Sequence, residues 1–292
     1  MPEAAPPNPH AVREAYRLAA PCVLCPRRCG VDRLAGEAGF CGIGAPPLVS
    51  SIGPHFGEEP VLVGRGGSGT LFLAGCNLAC VYCQNAEISH LRRGRPCDVT
   101  GLVKAMLDLQ HAGCVNVNFV TPTHVAPWLL DAIVRARRAG CRLPVVWNCG
   151  GYESVEMLRR LDGWVDIYMP DVKYADPAVA ERLSSAADYP SIVRDALREM
   201  HRQVGDLRTC DGVAARGLLV RHLVLPHGLA GSDQVIDFLA TEISPQTTIN
   251  VMAQYRPEYR AGEFAELSGF PDPDEVRRVQ RLALDRGLRL AR

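Results

Sequence analysis

The sequence contains no run of about 18 or more apolar residues, the length that a membrane-spanning helix requires. Its start also lacks a basic segment followed by an apolar one. Neither a membrane span nor a secretory signal is therefore expected, and the expected compartment is the cytoplasm. A surplus of one charge is missing too: Lys+Arg and Asp+Glu are each 32. No overall field draws the chain to nucleic acid, which makes RNA the least favoured kind of substrate. Lysine is scarce, with only Lys104 and Lys173 against many arginines. There is no internal repeat or low-complexity tract. With 47% hydrophobic and 22% charged residues, the composition is that of a globular protein, with disorder expected at short ends such as Met1 to His10.

Cysteine, by contrast, is abundant, at 12 residues. Thiols in the cytosol are kept reduced, so dense cysteine spacing there points to metal and not to disulfides. Seven fall into two groups: Cys22, Cys25, Cys29 and Cys41, and then Cys76, Cys80 and Cys83. The other five, Cys97, Cys114, Cys141, Cys149 and Cys210, read mostly as small buried hydrophobes. Residues 1–50 are expected to form an N-terminal extension and a cysteine-rich metal-binding module, and 51–292 one α/β domain.

Within 51–292, short apolar runs alternate with helical patterns, the signature of βαβ units and a parallel sheet. Six runs are legible: GTLFLAG, VNVNFV, LPVVWN, VDIYMPDV, RGLLVRHLVLP and TTINVMAQY. A long polar helical insertion is expected from Ala178 to Val204, and the helix DPDEVRRVQRLALDRG closes the chain. Residues with chemical potential follow these runs: Cys76 to Cys83 the first, Thr121 to His124 the second, Asn148 to Tyr152 the third, Asp171 to Lys173 the fourth and His227 the fifth. In an α/β barrel such positions form one mouth, at the C-terminal ends of the strands.

The loop GCNLACVYCQN carries three thiols and no nearby fourth. Three thiolates fill three corners of a [4Fe–4S] cube and leave one iron open, and Gly75 lets the backbone turn before the first ligand. The alternative is a closed zinc site that borrows His90. The spacing CxxxCxxC, with an aromatic residue before the last cysteine, resembles the defining motif of the radical SAM superfamily. CVLCPRRCGVDR, NVNFVTPTH, DIYMPDVKY, YPSIVRDALREMHRQVGDL, GLLVRHLVLPHG and VMAQYRPEY extend the likeness over nearly the whole chain. They resemble the group related to pyruvate formate-lyase activating enzyme.

That resemblance implies a partial (βα)6 TIM-type barrel with a small N-terminal cysteine-rich module, a [4Fe–4S] cluster on Cys76, Cys80 and Cys83, and S-adenosylmethionine (SAM). It implies that the Tyr82 backbone meets the adenine. It also implies that Asp171 and Lys173, as a DxK on the fourth strand, serve SAM and a monovalent cation, and that Asn148 and Gly150 approach SAM after the third strand. The second strand departs from the pattern. The superfamily often has Gly-Gly-Glu there for the SAM amino group, and this chain has Thr121, Pro122, Thr123 and His124. The hydroxyls of Thr121 and Thr123 are the candidate replacements, and His124 is open as a substrate contact, a proton donor or a helix-start residue.

Cys22, Cys25, Cys29 and Cys41 are expected to hold a second metal centre, an auxiliary iron–sulfur cluster or zinc. The expected function is reductive cleavage of SAM to a 5′-deoxyadenosyl radical that abstracts hydrogen from a substrate. The substrate would be a protein, as for a glycyl-radical activase, or a small molecule or peptide. An external donor such as flavodoxin or ferredoxin would supply the electron. A noncatalytic iron–sulfur carrier or sensor is the alternative of another class.

Overall fold

The computed structural model describes residues 10–291. The expectation of a frayed start therefore falls, apart from His10, outside the described residues. Six parallel strands form the framework: β1 (Ser68–Leu73), β2 (Val117–Val120), β3 (Val145–Cys149), β4 (Ile167–Pro170), β5 (Val213–Leu223) and β6 (Thr248–Met252). Each hydrogen-bonds to the next in chain order. The six apolar runs are thus the six strands of a partial barrel. The sheet stays open: Leu48–His55 adds antiparallel beside β1, and Arg289–Leu290 adds parallel beside β6.

Alternation along the strands separates two cores. Val146, Ile167, Met169 and Leu219 pack with Leu62 as a small interior cluster. Leu62 lies on the turn Pro60–Val63, so the segment before β1 fills the inside of the barrel under these strands. The alternate residues, Phe119, Trp147, Tyr168 and Val220, face the helices and join the main core. Those helices include Val99–His111, Ala126–Arg138 and Tyr189–Val204. Asp98 caps the first by accepting from Gly101 N at 2.8 Å, which satisfies one of the orphan donors of a helix start.

Two expectations need correction. Ala178 to Val204 is not one helix but two, Pro177–Ser184 and Tyr189–Val204, because Ser185 adopts a left-handed conformation with φ 52° and ends the first. Leu48–His55 is a strand that the sequence reading left unassigned. Residues 18–47 form no helix, as expected for a cysteine-rich loop, and they pack against the helix Ala11–Arg17 and the barrel. Among the described residues no helix is long and apolar enough to cross a membrane.

Candidate active site

β1 feeds into Gly75 and the three cysteines. Gly75 has φ 85°, and a Cβ there would lie 2.5 Å from Ile43 Cγ1 and 2.9 Å from the Cys41 carbonyl oxygen. Only glycine fits, because the N-terminal module presses directly on the residue before Cys76. Each sulfur in the loop has a polar neighbour. Leu78 N donates to Cys76 Sγ at 3.4 Å, Ser184 Oγ donates to Cys80 Sγ at 3.0 Å, and Ser89 Oγ lies 3.1 Å from Cys83 Sγ.

Burial, with the neighbouring Cys80 adding to it, pushes the Cys76 thiol up to about 12, and burial raises Cys80 as well. Such thiols stay protonated unless a metal takes the sulfur as thiolate. Among the described residues no three His, Cys, Asp or Glu side chains are drawn together as the ligands of a single ion would be. The case for a metal centre therefore rests on the donor set: three sulfurs on one loop, with N–H and O–H groups directed at them, suit iron–sulfur ligation. The Nε2 of His90 sits 3.2 Å from the Cys80 carbonyl, and its ring stacks on Tyr259.

A cavity of about 220 Å³ opens beside this loop. Cys80, Tyr82 and Cys83 line it, together with Asp171, Lys173 and Arg221. Lys173 Nζ donates to Asp171 Oδ2 at 2.6 Å, and Arg221 Nε to Asp171 Oδ1 at 2.8 Å. Burial alone would raise the Asp171 carboxyl, but Arg221 and then Lys173 hold it below its ordinary value. Burial likewise opposes the charge on Lys173, and Asp171 and Cys80 outweigh it, raising that group. Lys173 is thus a fixed ammonium between a carboxylate and the cysteine loop. Both Asp171 oxygens already face a cation, so a further monovalent cation there would meet two like charges.

Arg221, which the motifs did not single out, ties the mouth together. Its Nη2 donates to Asn148 Oδ1 at 2.7 Å, and Glu58 lies 3.7 Å from Nη1. With its oxygen engaged, Asn148 keeps its amide nitrogen for donation. Tyr189, from the helical insertion, accepts from Lys173 N at 3.0 Å and lies within 2.9 Å of the carbonyls of Gly150 and Asp171. It joins the turn after β3 to the one after β4. Gly150 lies close to Leu78 and Lys173. Thr121, Thr123, Asn148 and Gly150 fall outside the lining of the cavity itself.

The second-strand residues are the least like expectation. Thr121 takes φ 60° and donates its N–H to Asn148 O at 2.8 Å. Thr123 is buried and gives its hydroxyl proton to Glu153, whose carboxyl burial pushes up to about 7. His124 is 1% exposed, its Nε2 2.8 Å from the Ala74 carbonyl, and burial lowers it to about 4. It lies in the short turn Thr123–Val125 that runs into the helix Ala126–Arg138, the helix-start position among its expected roles, with its ring held against the carbonyl that precedes the cysteine loop.

The N-terminal module converges on the same place. Cys25 is pushed up to about 12 by burial, with Cys41, Cys22 and Cys29 adding to it, so the four thiols lie within one another's field. Arg33, 1% exposed, reaches Cys41 Sγ at 3.6 Å and donates to the carbonyls of His124 and Gly44 at 3.0 and 2.9 Å. Arg27, between Cys25 and Cys29, donates to Asn77 O at 2.9 Å and to the carbonyls of Ser184 and Ser185. The module is thereby hydrogen-bonded to the loop carrying Cys76 and Cys80. Such long-range carbonyl partners leave no local pattern in the sequence.

Residues 70–213 match the model of the radical SAM superfamily. An uncharacterized protein of Methanocaldococcus jannaschii, MJ0674, is 34% identical over 275 residues, covering 90% of this chain and 74% of that protein. The chain belongs to the radical SAM superfamily. Membership implies SAM-dependent radical chemistry and the binding of iron as a [4Fe–4S] cluster. Among solved structures, Streptococcus suis SuiB bound to S-adenosylmethionine superposes with a TM-score of 0.52 at 10% identity, over 74% of this chain and 47% of that one. The radical S-adenosylmethionine methyltransferase TsrM of Kitasatospora setae, with cobalamin and a [4Fe–4S] cluster bound, gives 0.50 at 17%, over 69% and 40%. These likenesses support the fold, and the chain spans less than half of each.

Proposed function

We propose that this protein cleaves SAM reductively, with Cys76, Cys80 and Cys83 holding a [4Fe–4S] cluster whose fourth iron the protein leaves open. When bound, that pair of cofactors supplies a 5′-deoxyadenosyl radical able to take hydrogen from a substrate. The chain's own residues bind and orient. Lys173 offers an ammonium to the SAM carboxylate, and its compact charge suits that task. Asp171 fixes Lys173, and Arg221 fixes Asp171 and Asn148, whose amide nitrogen is left to donate. The Tyr82 backbone is the adenine contact, and the turn at Gly150 brings the main chain near. Thr121 remains the second-strand candidate for the SAM amino group. Thr123, engaged with Glu153, would act by supporting that turn.

In the N-terminal module, Cys22, Cys25, Cys29 and Cys41 would hold the second centre. The directed Arg33 and the four thiols, which lie within one another's field, fit an auxiliary iron–sulfur cluster, with zinc the other occupant of the same donor set. An external one-electron donor such as flavodoxin or ferredoxin would serve the reaction, and the substrate class to screen first is a protein or peptide, then small molecules. The fit of Asp171 and Lys173 to the activase-type pattern supports that order. The carrying observation is a loop of three cysteines that lines one cavity together with Lys173. Anaerobically reconstituted, reduced protein should form 5′-deoxyadenosine from SAM in amounts well above a Cys76→Ala/Cys80→Ala/Cys83→Ala control. Equal amounts would favour a noncatalytic carrier or sensor.

A further inference from the structure

Ser184 is the last residue of the helix Pro177–Ser184 and is fully buried. Its hydroxyl donates to Cys80 Sγ at 3.0 Å. Behind it stand two more hydroxyls in single file: Tyr174 Oη is 2.7 Å from Ser184 Oγ, and Tyr82 Oη is 2.6 Å from Tyr174 Oη. With the Ser184 proton on the sulfur, only one ordering completes the file: Tyr82 donates to Tyr174, Tyr174 to Ser184 and Ser184 to sulfur. Each bond polarises the next, so the file strengthens the last one. All three residues are buried, and water does not compete for these donors.

The same residue is held from its main chain. The Ser184 carbonyl accepts from Ala79 N at 3.2 Å and from Arg27 Nη2 at 3.3 Å, while Val81 N donates to Leu183 O at 2.9 Å. The helix end is therefore stitched to both sides of Cys80 and, through Arg27, to the module between Cys25 and Cys29. A hydrogen bond to a ligand sulfur draws off negative charge, and the reduced form of an iron–sulfur centre carries one electron more. Such a bond therefore stabilises the reduced form and raises the potential.

We infer that Ser184 is a positioning residue that sets the reduction potential of the centre held by Cys80, with Tyr174 and Tyr82 as its relay and Arg27 as the contact through which the N-terminal module acts on it. This rests on the reading that Cys76, Cys80 and Cys83 hold an iron–sulfur cluster. The hydrogen bonds of Arg27 go to the carbonyls of Asn77, Ser184 and Ser185, so its removal would reach the cluster through these groups as well as through the loss of its charge.

The test is spectroelectrochemical titration of the reconstituted holoprotein without SAM. Ser184→Ala should shift the midpoint of this cluster to more negative potential, Tyr174→Phe by less, and Tyr82→Phe by least, with Ser184→Thr restoring the wild-type value. Arg27→Ala should shift it in the same direction. The phenylalanine variants keep the rings and the packing, so a graded series is not expected from loss of structure. Equal midpoints in Ser184→Ala, Tyr174→Phe and wild type would overturn the inference while leaving the function intact. Wild-type protein that takes up no iron on the three cysteines would overturn both.

Discussion

Arg221 sits among carboxylates and amides in the barrel interior, with Asp171, Asn148 and Glu58 around its guanidinium. Arg221→Met would leave Asp171 and Glu58 buried without that counter-charge. Removing one partner of a buried ionic network costs about 3 kcal/mol or more. Denaturant unfolding should show a loss of that order, and a loss under about 1 kcal/mol would contradict this role. His222 allows a second prediction at this scale. Its nitrogens lie 2.7 Å from the Val172 carbonyl and 2.8 Å from Ser232 Oγ, and burial lowers it to about 4. In the unfolded chain its pKa returns to about 6.5, so the unfolded state binds the proton first. The stability His222 contributes is complete above about pH 6.5 and falls, by up to about 1.4 kcal/mol per pH unit, as the pH drops towards 4. His124 acts in the same direction. Thermal unfolding between pH 7 and 4.5 should record a falling midpoint, and a flat profile would exclude both assignments.

Among the elements, the N-terminal module and the helix Pro177–Ser184 meet at the cysteine loop, and Arg27 is the shared contact. Arg27→Ala removes charged donors from three carbonyls, an effect of about 2 kcal/mol. Limited proteolysis should then cut within residues 18–47 faster than in wild type, with the barrel left intact; unchanged cleavage would mean that the other contacts suffice. The strands were legible because each is a short apolar run followed by a turn, a local pattern. The split at Ser185 was not, since a left-handed serine leaves no periodic mark in an otherwise helical composition. Leu48–His55 was missed because one face of an edge strand is exposed and Gly53 and Pro54 interrupt its pattern. The bonds of Arg27 to Asn77, Ser184 and Ser185, of Arg33 to His124, of Ser184 to Cys80 and of Arg221 to Asp171 and Asn148 each span about 50 to 160 residues, and local motifs carry no information about them.

For the molecule as a whole, a six-stranded open barrel brings a loop after β1 and turns after β3 and β4 to one mouth. There Cys80 and Cys83 of the three-cysteine loop line a single cavity together with Asp171 and Lys173. Thr123 and His124 went elsewhere because burial committed them to Glu153 and the Ala74 carbonyl. We propose that one iron of the cluster on Cys76, Cys80 and Cys83 lacks a protein ligand and accepts SAM. Electron paramagnetic resonance of the reduced, iron-loaded protein, recorded before and after SAM is added, tests it most directly. SAM should change the spectrum of the wild-type cluster and cause no such change in the Cys76→Ala/Cys80→Ala/Cys83→Ala protein; a wild-type spectrum indifferent to SAM would mean that no iron is open to it.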